Sequence, residues 1–367
     1  MPPATAADGV LCLGAGPTQV PVIRAAASLG LEVVAVDRRP DAEGLGLAHR
    51  AIRASTHDPR AVWAALARLH PAPALRAVLC RSSGPPVRTA AVLAEALGLS
   101  GVPPGSAEIA IHKGRFRRFC EHLGLPGPAW AEVSGSEDPA ALPELPVVVR
   151  PALPVRGKAA VRRLEDPGGL PAAVAEARAA SLDGCALVEE FVGGQDAVLL
   201  ALVCGGRLEP LAWLDELVGF DGAGRARGVG FAWPSALGPE ARARLRDLAE
   251  TLVSALRVRT SAFHLSCRVT PGGTVVPLEL HLDLGGDLLL EELLPGAGHR
   301  EVVRRVVARL AGVGPRVELP ERGAAALLYG AGSGLPRESP RRLLRAPDRR
   351  RLAPRLPAPG AAAEAGA

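Results

Sequence analysis

Short apolar runs of strand length alternate with stretches of helical spacing through the N-terminal part of the chain. Val10–Leu13 is the first run, and Gly14-Ala15-Gly16-Pro17 turns the chain after it. Apolar positions from Gln19 to Leu29 recur at helical spacing, and Leu31–Val36 is a second buried strand that ends in Asp37. Ala61–Leu69 reads as a helix, Ala77–Cys80 as a strand and Thr89–Leu97 as a helix. Strands alternating with helices predict a parallel sheet with helical flanks, Rossmann-like in class.

The pattern changes after Gly101-Val102-Pro103-Pro104-Gly105. One helix is expected over 107–123, a strand over Val147–Val149, a helix near 170–180 and a strand over Ala186–Val188. Val198–Val203 and Leu208–Trp213 pair as a hairpin through Gly205-Gly206. Pro239–Leu256 is a long amphipathic helix. Phe263–Thr270 and Thr274–Leu282 form a second hairpin through Pro271-Gly272-Gly273. The glycine-rich stretch Gly219–Gly230 reads as a loop, either bordering a substrate pocket with Trp213 and Trp233 or serving as a mobile connection. The fold class is thus α/β followed by α+β. From about Pro336 the chain is rich in Arg, Pro and Ala, and 339–367 is expected to be disordered.

Composition narrows the classes of function. At 367 residues and 48% hydrophobic, the chain can bury two or three packed units. Its apolar runs fall short of membrane-spanning length, and no signal peptide is evident, so no membrane partner is expected. Six cysteines at 12, 80, 120, 185, 204 and 267 lack C-x-x-C spacing, which suits a reduced cytoplasm. The net charge of +5 comes from Arg dispersed among Ala, Gly and Pro, and aromatics are only 3%, so nucleic acid is not expected as a partner.

Five segments carry candidate chemistry. The glycine turn at 14–16 brings backbone N–H groups toward a ligand, but Gln19 stands where a dinucleotide fingerprint has its third glycine. Lys113 and Lys158 are the only lysines in an Arg-biased chain. Val147-Val148-Val149-Arg150-Pro151 leads into a loop, 152–160, holding Arg156, Gly157 and Lys158. Leu187-Val188-Glu189-Glu190-Phe191-Val192-Gly193-Gly194-Gln195-Asp196 is a strand ending in an acidic, glycine-punctuated turn. Glu279, His281 and Asp283 alternate on one face of the second hairpin's return strand. The bland alternatives are a tight turn, a solvated lysine, a surface loop and a polar strand.

In order and spacing these segments resemble the ATP-grasp superfamily, close to its carboxylate–amine ligases, over about residues 10 to 330. The resemblance implies a Rossmann-like domain over 1–106, an ATP-grasp domain over 107–313, and a C-terminal remnant over 314–338. Within the second of these, the small lobe takes about 125–190 and the large lobe 191–313. It implies ATP as cofactor with Mg2+ or Mn2+, a small carboxylate and an amine as substrates, and a homodimer. Lys113, Arg150 and Arg268 become catalytic cations, and Lys113, Arg150 and Lys158 grip phosphates. Glu189 accepts from the adenine amine, the Glu190, Phe191 and Val192 backbone reads the ring, and Asp196 takes the ribose, through a water because it is one methylene shorter than the usual Glu. The metal falls to Glu279, His281 and Asp283.

Departures from the family pattern concentrate in the hairpin. Ser266 replaces an acid, His281 an Asn and Asp283 an Arg, while Arg150 replaces a Lys. Magnesium favours hard oxygens over imidazole, which leaves open a site held mainly by Glu279, a manganese or zinc site, or no metal. At ~4 Å and an effective dielectric of ~20 a unit charge pair is worth ~4 kcal/mol, so exchanging Arg for Asp outweighs a ~100-fold rate contribution. Two functions follow: an ADP-forming carboxylate–amine ligase working through an acyl phosphate, or a non-catalytic relative that binds a nucleotide or metabolite as a regulator.

Overall fold

The first strand, β1 (Asp8–Leu13), points alternate side chains to opposite sheet faces, and both faces are covered. The computed structural model describes residues 8–135, 142–155, 158–330 and 340–357. Gly14 turns the chain at φ +90, a backbone region that favours glycine, and its N–H donates to the Val36 carbonyl at 2.8 Å. The turn feeds α1 (Val20–Ser28), then β2 (Glu32–Asp37), β3 (Arg50–Arg53), α2 (Pro59–Leu66), β4 (Ala74–Cys80) and α3 (Pro85–Ala96). The sheet is parallel, in the order β3-β2-β1-β4. Val10, Cys12, Val33 and Ala35 face α1, whereas Leu11, Leu13, Val34 and Val36 face α2 and α3.

Two helices follow where the sequence predicts one. α4 (Pro104–Ile111) and α5 (Lys113–His122) meet at His112, whose extended backbone ends the first and caps the second. The His112 ring accepts from the Arg115 N–H at 3.2 Å, a local bond that competes with helix continuation.

The small lobe is an antiparallel sheet of β5 (Trp130–Val133), β6 (Val147–Pro151), β7 (Arg162–Leu164) and β8 (Ala186–Glu190), ordered β5-β8-β6-β7 and backed by α6 (Leu170–Ala179). The large lobe holds β9 (Gln195–Cys204), β10 (Arg207–Phe220), β11 (Ala226–Trp233), α7 (Pro239–Ala255), β12 (Thr260–Val269) and β13 (Val275–His281), then α8 (Leu294–Gly296) and α9 (Val302–Leu310). Two further strands, β14 (Ala324–Tyr329) and β15 (Arg341–Ala346), and the short α10 (Arg349–Leu352) complete it. The order β13-β12-β9-β10-β11-β14-β15 makes one antiparallel sheet. Along β9, Ala197, Leu199, Ala201 and Val203 pack toward α7, while Val198, Leu200 and Leu202 join a core shared with α1 and α9. That shared core fixes the N-terminal loops against the end of β13.

Two expectations are corrected. Gly219–Gly230 is not a loop: β10 runs to Phe220 and β11 starts at Ala226, with a short turn at Asp221 between them. The chain beyond 339 is ordered as far as Leu356: β15 pairs with β14 and Leu344 and Leu352 are buried against Ala324 and Ala326. Residues 358–367 lie outside the described residues, as do Arg156 and Gly157 of the expected phosphate loop. Among the described residues no helix is long and apolar enough to cross a membrane.

Candidate functional site

Glu189, next to last in β8, has its side chain only 5% exposed, between two guanidiniums. Arg117 of α5 donates to it through Nε at 2.5 Å, and Arg150 of β6 through Nη2 at 3.0 Å. The same arginines reach across to β13: Arg117 donates to the Pro277 carbonyl at 2.5 Å and both donate to the Leu278 carbonyl at 3.1 Å. Burial alone would raise the Glu189 carboxyl, but the two guanidiniums outweigh it and hold it down to about 2. This triad ties small lobe, α5 and large lobe together, with the 187–196 segment beside β13.

The expected role of Glu189 is therefore corrected. Its carboxylate is bound to arginines and not free to accept from a base. The Glu190 N–H donates to the Ala129 carbonyl and the Phe191 N–H to the Pro146 carbonyl, each at 2.8 Å, while the Val192 carbonyl accepts from Arg268 at 2.7 Å. Arg268 also grips Asp196 through Nε at 2.9 Å and Nη2 at 2.6 Å. Arg163 lies 3.9 Å from the Phe191 ring centroid, so this ring has a cation on its face.

The two lysines pair with carboxylates of the large-lobe sheet. Lys113 Nζ lies 2.5 Å from Glu279 Oε2, and Lys158 Nζ lies 2.7 Å from Glu216 Oε1. Burial opposes ionisation of Glu279, yet the Lys113 ammonium holds its carboxyl well below the usual range. Burial likewise opposes charge on Lys158, and Glu216 and Glu279 overcome it, pushing the ammonium up.

Ser266 and Glu279 are cross-strand partners between β12 and β13, as are His264 and His281. His281 Nε2 is 3.5 Å from Glu279 Oε1 and its Nδ1 is 3.9 Å from Asp283 Oδ2. Asp283 is buried and turned into its own loop, accepting from the Gly285 N–H at 2.7 Å and the Ser83 hydroxyl at 3.3 Å. Among the described residues no group of three His, Cys, Asp or Glu side chains is placed to hold a metal. The expected triad of Glu279, His281 and Asp283 is thereby corrected: the strand ends at His281, and past it the loop carries Asp283 to the N-terminal domain. Glu279 and the Ser266 hydroxyl remain as hard oxygen donors on one face. Together they suit a magnesium site of the kind that phosphate oxygens complete.

Several site residues escaped the sequence reading. Arg117 is hidden in an Arg-rich helix, although its neighbours Phe116 and Cys120 are also buried. Glu216 is an acid within a largely apolar strand, a usable signal. Asp287, on the loop after Gly285-Gly286, has its carboxyl raised to about 6 by burial and by Glu216. Arg81 of the N-terminal domain pairs with Glu291 and donates to the Gly285 carbonyl at 2.7 Å, and the Gln19 amide donates to the Arg81 carbonyl at 2.7 Å. Gln19, where the fingerprint glycine is missing, thus ties the glycine turn through Arg81 to the loop at Gly285.

Comparison with known proteins agrees with this architecture. No protein-family model matches the sequence. A formate-dependent phosphoribosylglycinamide formyltransferase of Burkholderia cenocepacia is 35% identical over 166 residues, 43% of this chain and 39% of the relative. A homologous formyltransferase from Burkholderia lata is 34% identical over the same length. The chain thus spans about two fifths of the curated relatives it matches. An L-amino acid ligase structure from Bacillus licheniformis superposes with a TM-score of 0.72 at 21% identity, covering 90% of this chain and 82% of that one. The ADP complex of an N5-carboxyaminoimidazole ribonucleotide synthetase gives 0.71 at 14% identity, over 89% and 82%. A biotin carboxylase from Campylobacter jejuni gives 0.68 at 15%, over 94% and 89%. The chain has the ATP-grasp fold.

Proposed function

We propose that this ATP-grasp chain is an ADP-forming carboxylate–amine ligase that holds ATP in the crevice between the small-lobe and large-lobe sheets. The observation that carries the reading is the pairing of Lys113 with Glu279 and of Lys158 with Glu216, two ammoniums brought from separate segments onto the large-lobe sheet, with Arg150 on the adjoining Leu278 carbonyl. Such a cluster of cations is what phosphoryl transfer needs, because positioning and charge do most of its work.

In this reading the two ammoniums exchange their carboxylates for phosphate oxygens. Arg150 stays on Glu189 and keeps the strand ends aligned. A carboxylate oxygen of the first substrate attacks the γ-phosphorus, the bond to the bridging oxygen breaks, and ADP leaves. The amine nitrogen then attacks the acyl carbon, inorganic phosphate departs, and the nitrogen gives up a proton. Lys113 and Lys158 stabilise the charge that spreads over the transferring phosphoryl group. Glu279 and the Ser266 hydroxyl are the residues to hold magnesium or manganese, which when bound neutralises phosphate charge. Gln19, Ser82 and Ser83 line the N-terminal side, where the substrate acid and amine enter. A homodimer working in the cytoplasm is the setting we propose.

The test is ADP release by the full chain with ATP, magnesium and a panel of small acids and amines. Release that needs both an acid and an amine supports the ligase. ATP binding by calorimetry without turnover of any pair favours the second reading, a nucleotide-binding regulator. That alternative draws on the internal pairing of Glu189, Lys113 and Lys158, which satisfies the crevice without ligand. Absence of ATP binding refutes the ligase and the nucleotide-binding regulator, and leaves a regulator that binds another metabolite.

A further inference from the structure

Lys113 faces two ways. Its backbone is fixed: the N–H donates to the Ala152 carbonyl at 2.9 Å, and the His112 cap before it is anchored to Asp183 at 2.7 Å. Its side chain, by contrast, is a long stem whose only polar contact among the described residues is Glu279. Glu279 is also the one carboxylate of the β12–β13 pair positioned to hold a metal, since Ser266 stands opposite it and Asp283 is engaged elsewhere. Ammonium and carboxylate together are neutral, so a bare divalent cation meets no net negative charge there. It must displace a paired ammonium from a partly buried site, with Lys113 only 11% exposed and Glu279 23%. That is unfavourable for an ion that surrenders its waters reluctantly.

Arg150 and Arg117 cannot relieve the pair, because they are committed to Glu189 and to the β13 carbonyls. A polyphosphate can. Its oxygens offer the ammonium a more highly charged partner and offer the metal additional hard ligands. We propose that Lys113 is a gate on the metal site: it blocks divalent-metal binding at Glu279 until a nucleotide phosphate draws the ammonium away. The metal then enters only with, or after, the nucleotide. This rests on the nucleotide crevice of the ligase reading and adds to it an order of binding.

The test is titration of the full chain with Mn2+, following free Mn2+ by electron paramagnetic resonance, with ADP binding measured in parallel by calorimetry with and without metal. Wild type and Lys113→Arg are expected to bind Mn2+ alone at least tenfold more weakly than Lys113→Met. Adding Glu279→Gln to Lys113→Met should abolish the gain. Wild type with ADP should immobilise Mn2+ beyond what ADP alone holds in buffer. Should Lys113→Met fail to fold, the wild-type comparison of Mn2+ with and without ADP decides by itself. Wild type that takes up Mn2+ equally well without ADP, while still binding ADP, overturns the gate and leaves the nucleotide crevice standing. No ADP binding with or without metal overturns both.

Discussion

Replacing Glu189 by Gln removes the charge between Arg117 and Arg150 while keeping the side chain's size. The magnitude follows from how far the two guanidiniums hold the carboxyl down, from the ordinary 4.5 to about 2. At ~1.4 kcal/mol per tenfold change in proton affinity, that depression is worth about 3 kcal/mol. The variant also leaves two buried guanidiniums without a counter-charge, and breaking a buried pair this way costs about 3–5 kcal/mol. The expected loss at pH 7 is therefore about 3 kcal/mol. Because the folded-state value is depressed, the stabilisation is fully present above pH 4.5 and is lost as pH falls from there through about 2. The difference between wild type and Glu189→Gln should thus be flat from pH 7 to about 5 and shrink in more acidic solution. Urea unfolding followed by tryptophan fluorescence reads it, and Trp130, the β5 residue paired with Glu189, supplies a nearby reporter. A loss below about 1 kcal/mol at pH 7, or a gap as wide at pH 3.5 as at pH 7, refutes the triad as the clasp between the lobes.

Three further outcomes are expected. A Cβ on Gly194 would stand 2.2 Å from the Val269 carbonyl oxygen at φ +145, so Gly194→Ala should cost at least about 2 kcal/mol in denaturant unfolding; an unchanged midpoint would show that the turn yields. Lys158→Met should weaken ATP binding about tenfold or more, as expected for a charged hydrogen-bond donor, and calorimetry giving an affinity within about twofold of wild type would remove it from the phosphate site. Asp287→Asn should stabilise the protein: the carboxyl is raised to about 6 from 3.8, so its charged form costs stability in full above the higher value and not at all below the lower. Thermal melts should show a gain at pH 8 that fades toward pH 4, and a gain independent of pH would count against that origin.

Much of the fold is legible in the sequence because the core strands carry their own pattern. The β1–turn–α1 unit and the β12–β13 hairpin stand out by apolar period and glycine punctuation. β15 does not, because it buries little beyond Leu344 and presents arginines elsewhere. The Gly219–Gly230 stretch misleads for a different reason. Gly230, at φ +153, allows β11 to pass close to the Leu327 carbonyl, so glycine serves packing there and not flexibility. In the site, positions were legible and partners were not. Nothing near Glu189 in sequence announces Arg117, 72 residues earlier, or that the carboxylate is spent on arginines. Asp283 looks like a ligand by alternation alone, and only the loop's return to Ser83 shows otherwise.

The seven-stranded sheet has two outer strands, and arginine guards each. At β13 the guanidiniums of Arg117 and Arg150 occupy the Pro277 and Leu278 carbonyls, which a foreign strand would otherwise recruit. At β15, Arg342 and Arg345 are exposed, so two copies meeting along that rim would bring like charges together. A chain so rich in arginine has thereby turned a compositional habit into protection against edge-to-edge polymerisation, and neutralising the β15 arginines is where fibre-like association would begin.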